Sequence, residues 1–263
     1  MTINVAAAWL KGLTHSECQD KVNACRGKIY LYNHMDDCKI ESDYGLVVVC
    51  DGAGSKIHSS AGAYVVAKGV EKYFTVKHQW MSFEEFNIEE IKHELLHYII
   101  QEILSIASKD DHISDYACTL LFVLYLDRSK KYIYGHIGDG GIVALEDDSL
   151  RILSGPENGE YKNQTYFITE RNAEEHFRLK VGTNISQQLG FLLCTDGIAG
   201  SLFKFSKTDP KISPVCQTFC EWLMDSETEE ELVVIEKAYK DNLYKHFSSR
   251  SKDDLSLVVM TVS

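Results

Sequence analysis

The stretch Val47-Val48-Val49-Cys50-Asp51-Gly52-Ala53-Gly54-Ser55 sets an apolar run of buried-strand type directly against a carboxylate and two nearby glycines. A chain written this way carries one charged group to the edge of a sheet and leaves backbone close beside it, because glycine has no Cβ to hold a neighbour off. The same grammar returns at Tyr134-Gly135-His136-Ile137-Gly138-Asp139-Gly140-Gly141 and at Phe191-Leu192-Leu193-Cys194-Thr195-Asp196-Gly197. Asp20 and Asp253 also stand where strands begin. Taken singly, an Asp-Gly step after a strand is most often a turn. Its recurrence predicts acids converging from separate strands on one site, and oxygen-only donors of this kind suit Mg²⁺ or Mn²⁺.

Working outward, Val5 to Leu10 reads as a first strand, Lys28 to Asn33 as a second, Met35 to Asp43 as a charged hairpin-like connection, and Gly45 to Cys50 as the buried strand. The period then changes. Ser59-Ser60 is placed to cap a helix with Ala63, Val66, Val70 and Phe74 at helical spacing. Ser82 is placed to cap a second, with Glu84 and Glu85 in its first turn and Ile88, Ile91, Leu95, Ile99, Ile103 and Ile106 as its stripe. Strands follow over Tyr116 to Leu126, Lys131 to Ile137, Gly141 to Leu145 and Leu150 to Leu153, then an irregular segment, 155–178, then a strand over Gly190 to Cys194. Helices over Pro210 to Met224 and Glu227 to Phe247 and a last strand from Leu255 complete an α+β order, not an alternating βαβ one.

With 44% hydrophobic residues and no Pro-, Gly- or Ser-rich linker, the 263 residues read as one domain, 1–263. The net charge of −12 sets the chain against phosphate backbones and acidic membrane surfaces, so nucleic acid and membrane are not expected partners. The eight cysteines form no CxxC pair and several lie in apolar runs, which predicts free thiols in a reducing compartment. Neither a signal peptide nor a run of membrane-spanning length is visible, and the expected location is cytoplasmic.

The motifs Gln19-Asp20, Asp51-Gly52-Ala53-Gly54-Ser55, Ala117-Cys118-Thr119-Leu120-Leu121, Ile137-Gly138-Asp139-Gly140, Thr195-Asp196-Gly197 and Asp253-Asp254-Leu255-Ser256 resemble, in order and spacing, those of the metal-dependent type 2C (PPM) protein serine/threonine phosphatases. Thr14-His15 and Gly159-Glu160-Tyr161-Lys162-Asn163-Gln164-Thr165-Tyr166-Phe167 are similar to features of the bacterial branch. The resemblance implies a central antiparallel β-sandwich flanked by helices on both faces, with 155–178 as a flap. It implies hydrolysis of phosphoserine and phosphothreonine on proteins by a metal-bound water held by Asp51 and Asp196. Two Mn²⁺ or Mg²⁺ ions are expected, bound by Asp20, Asp51, the Gly52 carbonyl, Asp196 and Asp253, with Asp139 and Asp196 holding a weaker third. A serine/threonine kinase is the implied opposing partner. The sequence departs from the pattern at Ala53, where many relatives have a histidine proposed to protonate the leaving oxygen; His58 and His136 are alternatives by sequence proximity alone. Ala117 stands where glycine is common. His15 stands near the place of a phosphate-gripping arginine, and can bind phosphate or simply bond local backbone in a turn.

Two other readings compete. Ile91-Lys92-His93-Glu94-Leu95-Leu96-His97 holds HExxH, the zinc-protease signature. Its histidines, however, project away from the Ile91, Leu95, Ile99 stripe towards the solvated flank of the helix, and no third ligand is evident. A non-catalytic phosphatase-like module that binds a phosphoprotein or a kinase is the second alternative, and the number of retained acids argues against it.

Overall fold

The buried run that ends at Asp51 is the second half of β3 (Cys38–Cys50), and it is apolar without interruption because both of its faces are covered. Val47 and Val49 point into a core between two sheets, while Leu46, Val48 and Cys50 point into a second core under helices. The computed structural model describes residues 1–33, 38–77, 87–157, 165–205 and 210–263.

The first sheet contains β1 (Ile3–Leu10), β6 (Gly141–Glu146), β7 (Ser149–Ser154), β9 (Leu189–Cys194) and β12 (Leu255–Val262), in the order β1-β12-β9-β6-β7. The second contains β2 (Lys21–Asn33), β3, β4 (Leu120–Leu126), β5 (Lys131–Ile137) and β8 (Arg178–Thr183), in the order β2-β3-β4-β5-β8. All pairings are antiparallel. Phe191, Leu193, Val258 and Met260 of the first sheet share one apolar cluster with Val47, Val49, Leu121 and Val123 of the second, as in sandwich packing.

Helices cover both outer faces. α1 (Ser59–Lys72) and α2 (Ile88–Ile106) bury Ala63, Val66, Val70, Leu95, Ile99 and Ile103 against the second sheet. Three short elements follow β7 and β9: α3 (Ala173–His176), α4 (Asp196–Leu202) and a small ribbon of β10 (Phe203–Lys204) with β11 (Lys211–Ile212). α5 (Val215–Met224) and α6 (Glu229–Asn242) then pack Phe219, Leu223 and Tyr239 on the first sheet. The result is the expected α+β, four-layer sandwich. No helix among the described residues is long and apolar enough to cross a membrane.

Several local expectations need correction. The charged stretch read as a connection is strand from Cys38 onward, because β2 and β3 pair in one long hairpin in which Lys28 meets Glu41 at 2.6 Å across the strands. Cross-strand pairing outweighs the polar composition there. Ser59 begins α1 instead of capping it, its hydroxyl donating to the Lys56 carbonyl, and His58 stands at the cap. Ser82, Glu84 and Glu85 lie outside the described residues; α2 is capped by Asn87, whose side chain accepts from the Glu90 amide at 3.3 Å, with Glu89 and Glu90 in the first turn. The Pro210 to Met224 helix starts later, at Val215, after β11.

Register carries the strand-end acids to one place. Lys21 pairs with Cys50, which sets Asp20 beside Asp51. Gly141 and Leu257 both pair with Cys194, which brings the Asp139 turn and the residues before β12 to the Asp196 end of the first sheet.

Candidate metal centre

Asp51 ends β3 in a reciprocal pair of bonds with Thr119, whose hydroxyl accepts from the Asp51 amide at 2.9 Å and whose amide donates to the Asp51 carbonyl at 2.8 Å. Gly52 then bridges to Cys118 through its neighbours, the Ala53 amide donating to the Ala117 carbonyl at 3.0 Å. A Cβ on Gly52 would lie 2.9 Å from the Gln19 carbonyl oxygen and 3.0 Å from Ser59 backbone, so only glycine lets the chain turn there. Gly138 holds φ at +123°, and a side chain on it would also strike Thr119. That turn presents Asp139, whose carboxylate accepts a hydrogen bond from the Thr165 hydroxyl.

One oxygen each of Asp51, Asp139 and Asp196 lie within 4.8 Å of one another. Asp20 stands beside them, 3% exposed, with one oxygen accepting from the Thr195 hydroxyl at 2.9 Å and the other lacking a partner among the described residues. The neighbouring Gln19 Oε1 is likewise buried and unpartnered. Asp253 adds its charge to Asp196 from the start of β12, and its own carboxylate lies 3.7 Å from His15. Among the described residues, no Lys or Arg forms an ion pair with Asp20, Asp51, Asp139 or Asp196.

Clustered acids with no cation among them resist ionisation. Burial, then repulsion from Asp20, Asp196 and Asp139, pushes the Asp51 carboxyl well above the ordinary range. Burial raises Asp20 to about 7 against the nearby hydroxyls of Ser256 and Thr195, and withdrawal from water together with Asp139 raises Asp196 to about 6. An orphaned buried oxygen, converging carboxylates and carbonyls nearby are the donor set of a hard divalent cation, so the residues fit Mg²⁺ or Mn²⁺.

The same shifts set the stability of the metal-free protein. A carboxylate whose folded pKa lies above its unfolded value stabilises the fold while protonated. That contribution is full below about pH 4 and is lost as the pH rises through the folded value. EDTA-treated protein is therefore expected to melt lower at about pH 8 than at about pH 5, and Asp20→Asn to shrink the difference. Each 1 kcal/mol moves the midpoint of a chain this size by roughly 2–4 °C, which differential scanning fluorimetry resolves. A pH dependence identical in wild type and Asp20→Asn would contradict this account.

The other residues singled out in the sequence fall as follows. His15 Nδ1 meets Asp254 Oδ2 at 3.2 Å, a carboxylate distant in sequence rather than local backbone, and a Cβ on Gly54 would lie 3.5 Å from His15 Nε2. His58 stacks on Tyr116 and pairs with Asp111 at 3.5 Å, while His136 is wholly buried with Nδ1 on the Ser154 hydroxyl at 2.8 Å. His93 and His97 are exposed on α2, and His93 faces Glu174 at 3.5 Å. Among the described residues the one metal-sized group of ligand atoms is that of the three aspartates, which leaves HExxH without a zinc site. All eight cysteines are free, five of them buried. Of the segment read as a flap, 158–164 lies outside the described residues; Tyr166 stacks on His176 at 3.4 Å, and the Ile168 amide bonds the Cys118 carbonyl.

Sequence reasoning missed the hydroxyls that orient the acids. Thr195 accepts from the Ser256 amide and donates to Asp20, and Thr119 and Thr165 hold Asp51 and Asp139. Their adjacency to the acid motifs is the available signal. It also missed Asp254, 2% exposed, which accepts from the amides of Gly12 and Gln19 at 2.6 Å each.

A two-sheet sandwich with carboxylates converging at one end of its strands is the frame of a hard-cation centre. The family profile described as Protein phosphatase 2C matches residues 16–235. The chain belongs to the protein phosphatase 2C family, whose members are metal-dependent serine/threonine protein phosphatases. Serine/threonine-protein phosphatase 3 of Escherichia coli (strain K12) is 27% identical over 216 residues, covering 81% of this chain and 82% of that one. The solved structures of the Mycobacterium tuberculosis phosphatase PstP/Ppp and the S. agalactiae serine/threonine phosphatase superpose with TM-scores of 0.62 and 0.61 at 14% and 15% identity, with full coverage of both chains. RsbX, solved in complex with magnesium, gives 0.52 at 13% identity over 99% of this chain and 96% of its own.

Proposed function

We propose that the protein hydrolyses phosphoserine and phosphothreonine on protein substrates, using two Mn²⁺ or Mg²⁺ ions at the acid end of the sandwich and a weaker third, within one domain spanning 1–263. The observation that carries this reading is the convergence of Asp51, Asp139 and Asp196 within 4.8 Å beside the unpartnered oxygen of Asp20. Asp51 and Asp196, with the Gly52 carbonyl, Asp20 and Asp253, would hold the pair; Asp139 and Asp196 would hold the third. Bound cations acidify a water and neutralise charge on the phosphoryl oxygens during in-line attack, so no covalent enzyme intermediate is required.

The side chains themselves bind and orient. Thr195 and Thr165 bond the carboxylates of Asp20 and Asp139, and Thr119 fixes the backbone of Asp51, before any ion arrives. His15, steadied through Nδ1 by Asp254, has Nε2 left for a substrate phosphate beside Gly54. Ala53 has no proton to give, and His136 and His58 are engaged with Ser154 and with Asp111 and Tyr116, so no histidine is assigned the leaving-group proton. A serine/threonine kinase that loads the same substrates is the matching partner, and the cytoplasm the matching location.

The test is turnover of p-nitrophenyl phosphate and a phosphothreonine peptide in Mn²⁺, in Mg²⁺ and in EDTA. Hydrolysis that appears with either cation and vanishes in EDTA is the expected result. Folded protein with no metal-dependent turnover would sink the proposal.

A further inference from the structure

Beside the acid cluster, β1, β12 and the helical segment Leu243–Phe247 that continues α6 line a half-open cavity of about 140 Å³. Leu10, Leu13, Tyr244 and Leu255 give it a mainly apolar wall, and Asp253 forms part of it. An apolar cavity of about 150 Å³ accommodates a benzene ring, so this one has room for a single large aliphatic side chain or a small aromatic one. Leu13 is 83% and Tyr244 68% exposed, so the rim offers large apolar surface with no cover among the described residues. Isolated exposed hydrophobics are ordinary; two on the rim of an apolar cavity that shares a wall with a polar site are what a side-chain subsite requires.

Resting on the phosphatase reading above, we propose that this cavity is a specificity subsite that takes an apolar side chain from the substrate polypeptide, one to three residues from the phosphorylated serine or threonine. The placement follows from Asp253, which lines the cavity next to Asp254, whose carbonyl backs onto Gly197 beside Asp196, while the Thr195 amide bonds the Ser256 carbonyl at 3.1 Å. An extended peptide advances about 3.3 Å per residue, so a phosphoresidue at the acids carries its near neighbours along this wall. The wall decides the occupant. Both rim charges are already engaged, Lys11 donating to the carbonyls of His15 at 2.7 Å and Gly12 at 3.3 Å and Asp253 lying 3.7 Å from His15 Nδ1, so a charged side chain would leave water for apolar surface without gaining a free partner. An uncharged apolar side chain avoids that penalty and covers Leu13 and Tyr244.

The experiment measures kcat/KM in Mn²⁺ on phosphothreonine peptides carrying Leu, Asp or Lys in turn at each of the three positions on either side, with p-nitrophenyl phosphate as the reference that lacks a flanking residue. At one position or more, Leu is expected to exceed Asp and Lys by about tenfold, and Leu13→Ser and Tyr244→Ala to erase that preference while leaving p-nitrophenyl phosphate turnover unchanged. Wild type that hydrolyses p-nitrophenyl phosphate but treats the three peptide series alike overturns the subsite and leaves the phosphatase reading standing. Preference for Leu that survives both variants overturns it as well. Wild type idle on every substrate overturns both readings together.

Discussion

Asp51→Asn is expected to lower kcat/KM for p-nitrophenyl phosphate in Mn²⁺ by about 10³-fold or more, which is roughly 4 kcal/mol of barrier. The size follows from where the charge sits. Asp51 is surrounded by Asp20, Asp139 and Asp196, and its carboxylate is one of the three that converge within 4.8 Å; an amide keeps the shape and removes the charge that would draw a divalent ion there. The fold is expected to survive for the same reason. In EDTA at about pH 8 the wild type holds mutually repelling acids that Asn relieves, so the variant should melt at or above the wild-type temperature. The pairing of lost turnover with undiminished metal-free stability separates this reading from a merely structural Asp51. A variant that retains activity within a few fold, or that fails in EDTA by unfolding, contradicts it.

The legibility of this site in the sequence has a physical basis. Val47 to Cys50 could be read as a strand covered on both faces because a continuous apolar run has no polar face to offer water, and Asp51 stood out because the run stops so abruptly. Convergence was readable only as recurrence of the pattern. What makes it real is register: Lys21 opposite Cys50, and Gly141 and Leu257 opposite Cys194, which no local pattern encodes. Charged residues 38–43 read as loop, yet cross-strand pairing made them strand, since the β2-β3 hairpin needs only one covered face along that part. The hydroxyls of Thr119, Thr165 and Thr195 carry no charge pattern and no periodicity, so their role emerges only once Asp51, Asp139 and Asp20 are in place. HExxH is the converse case, a chemically meaningful spacing that the helical stripe already turned towards solvent, where the structure leaves His93 and His97 exposed.

Adjacent acids were the hardest to tell apart, because Asp253 and Asp254 precede the same strand and alternation alone cannot say which one faces inward. Asp254 proves to be the buried one, and its work is mechanical: it gathers the amides of Gly12 and Gln19 and the ring of His15, and so ties the loop that leads into Asp20 to the base of β12. Burial would raise its pKa, but the bonds from Gly12, Gln19 and His15 win and hold it below the ordinary range. The sign of its contribution is therefore opposite to that of Asp20: present above about pH 4 and lost as the pH falls through the depressed value. Asp254→Ala leaves two backbone donors without an acceptor, at about 1–3 kcal/mol each where water cannot reach, so about 3 kcal/mol in all is a fair expectation. At roughly 2–4 °C per kcal/mol this is a fall of about 6–12 °C near neutral pH, against the rise or constancy expected for Asp51→Asn. Because Asp20, Asp253 and His15 all hang from this tie, Mn²⁺ affinity by calorimetry should weaken at least tenfold in the same variant, although Asp254 donates no oxygen to the Asp51, Asp139 and Asp196 group. Asp254→Asn keeps one acceptor oxygen and should fall between the two. A melting point unchanged in Asp254→Ala, or a lowered one with wild-type metal affinity, would show that the loop holds Asp20 without this carboxylate.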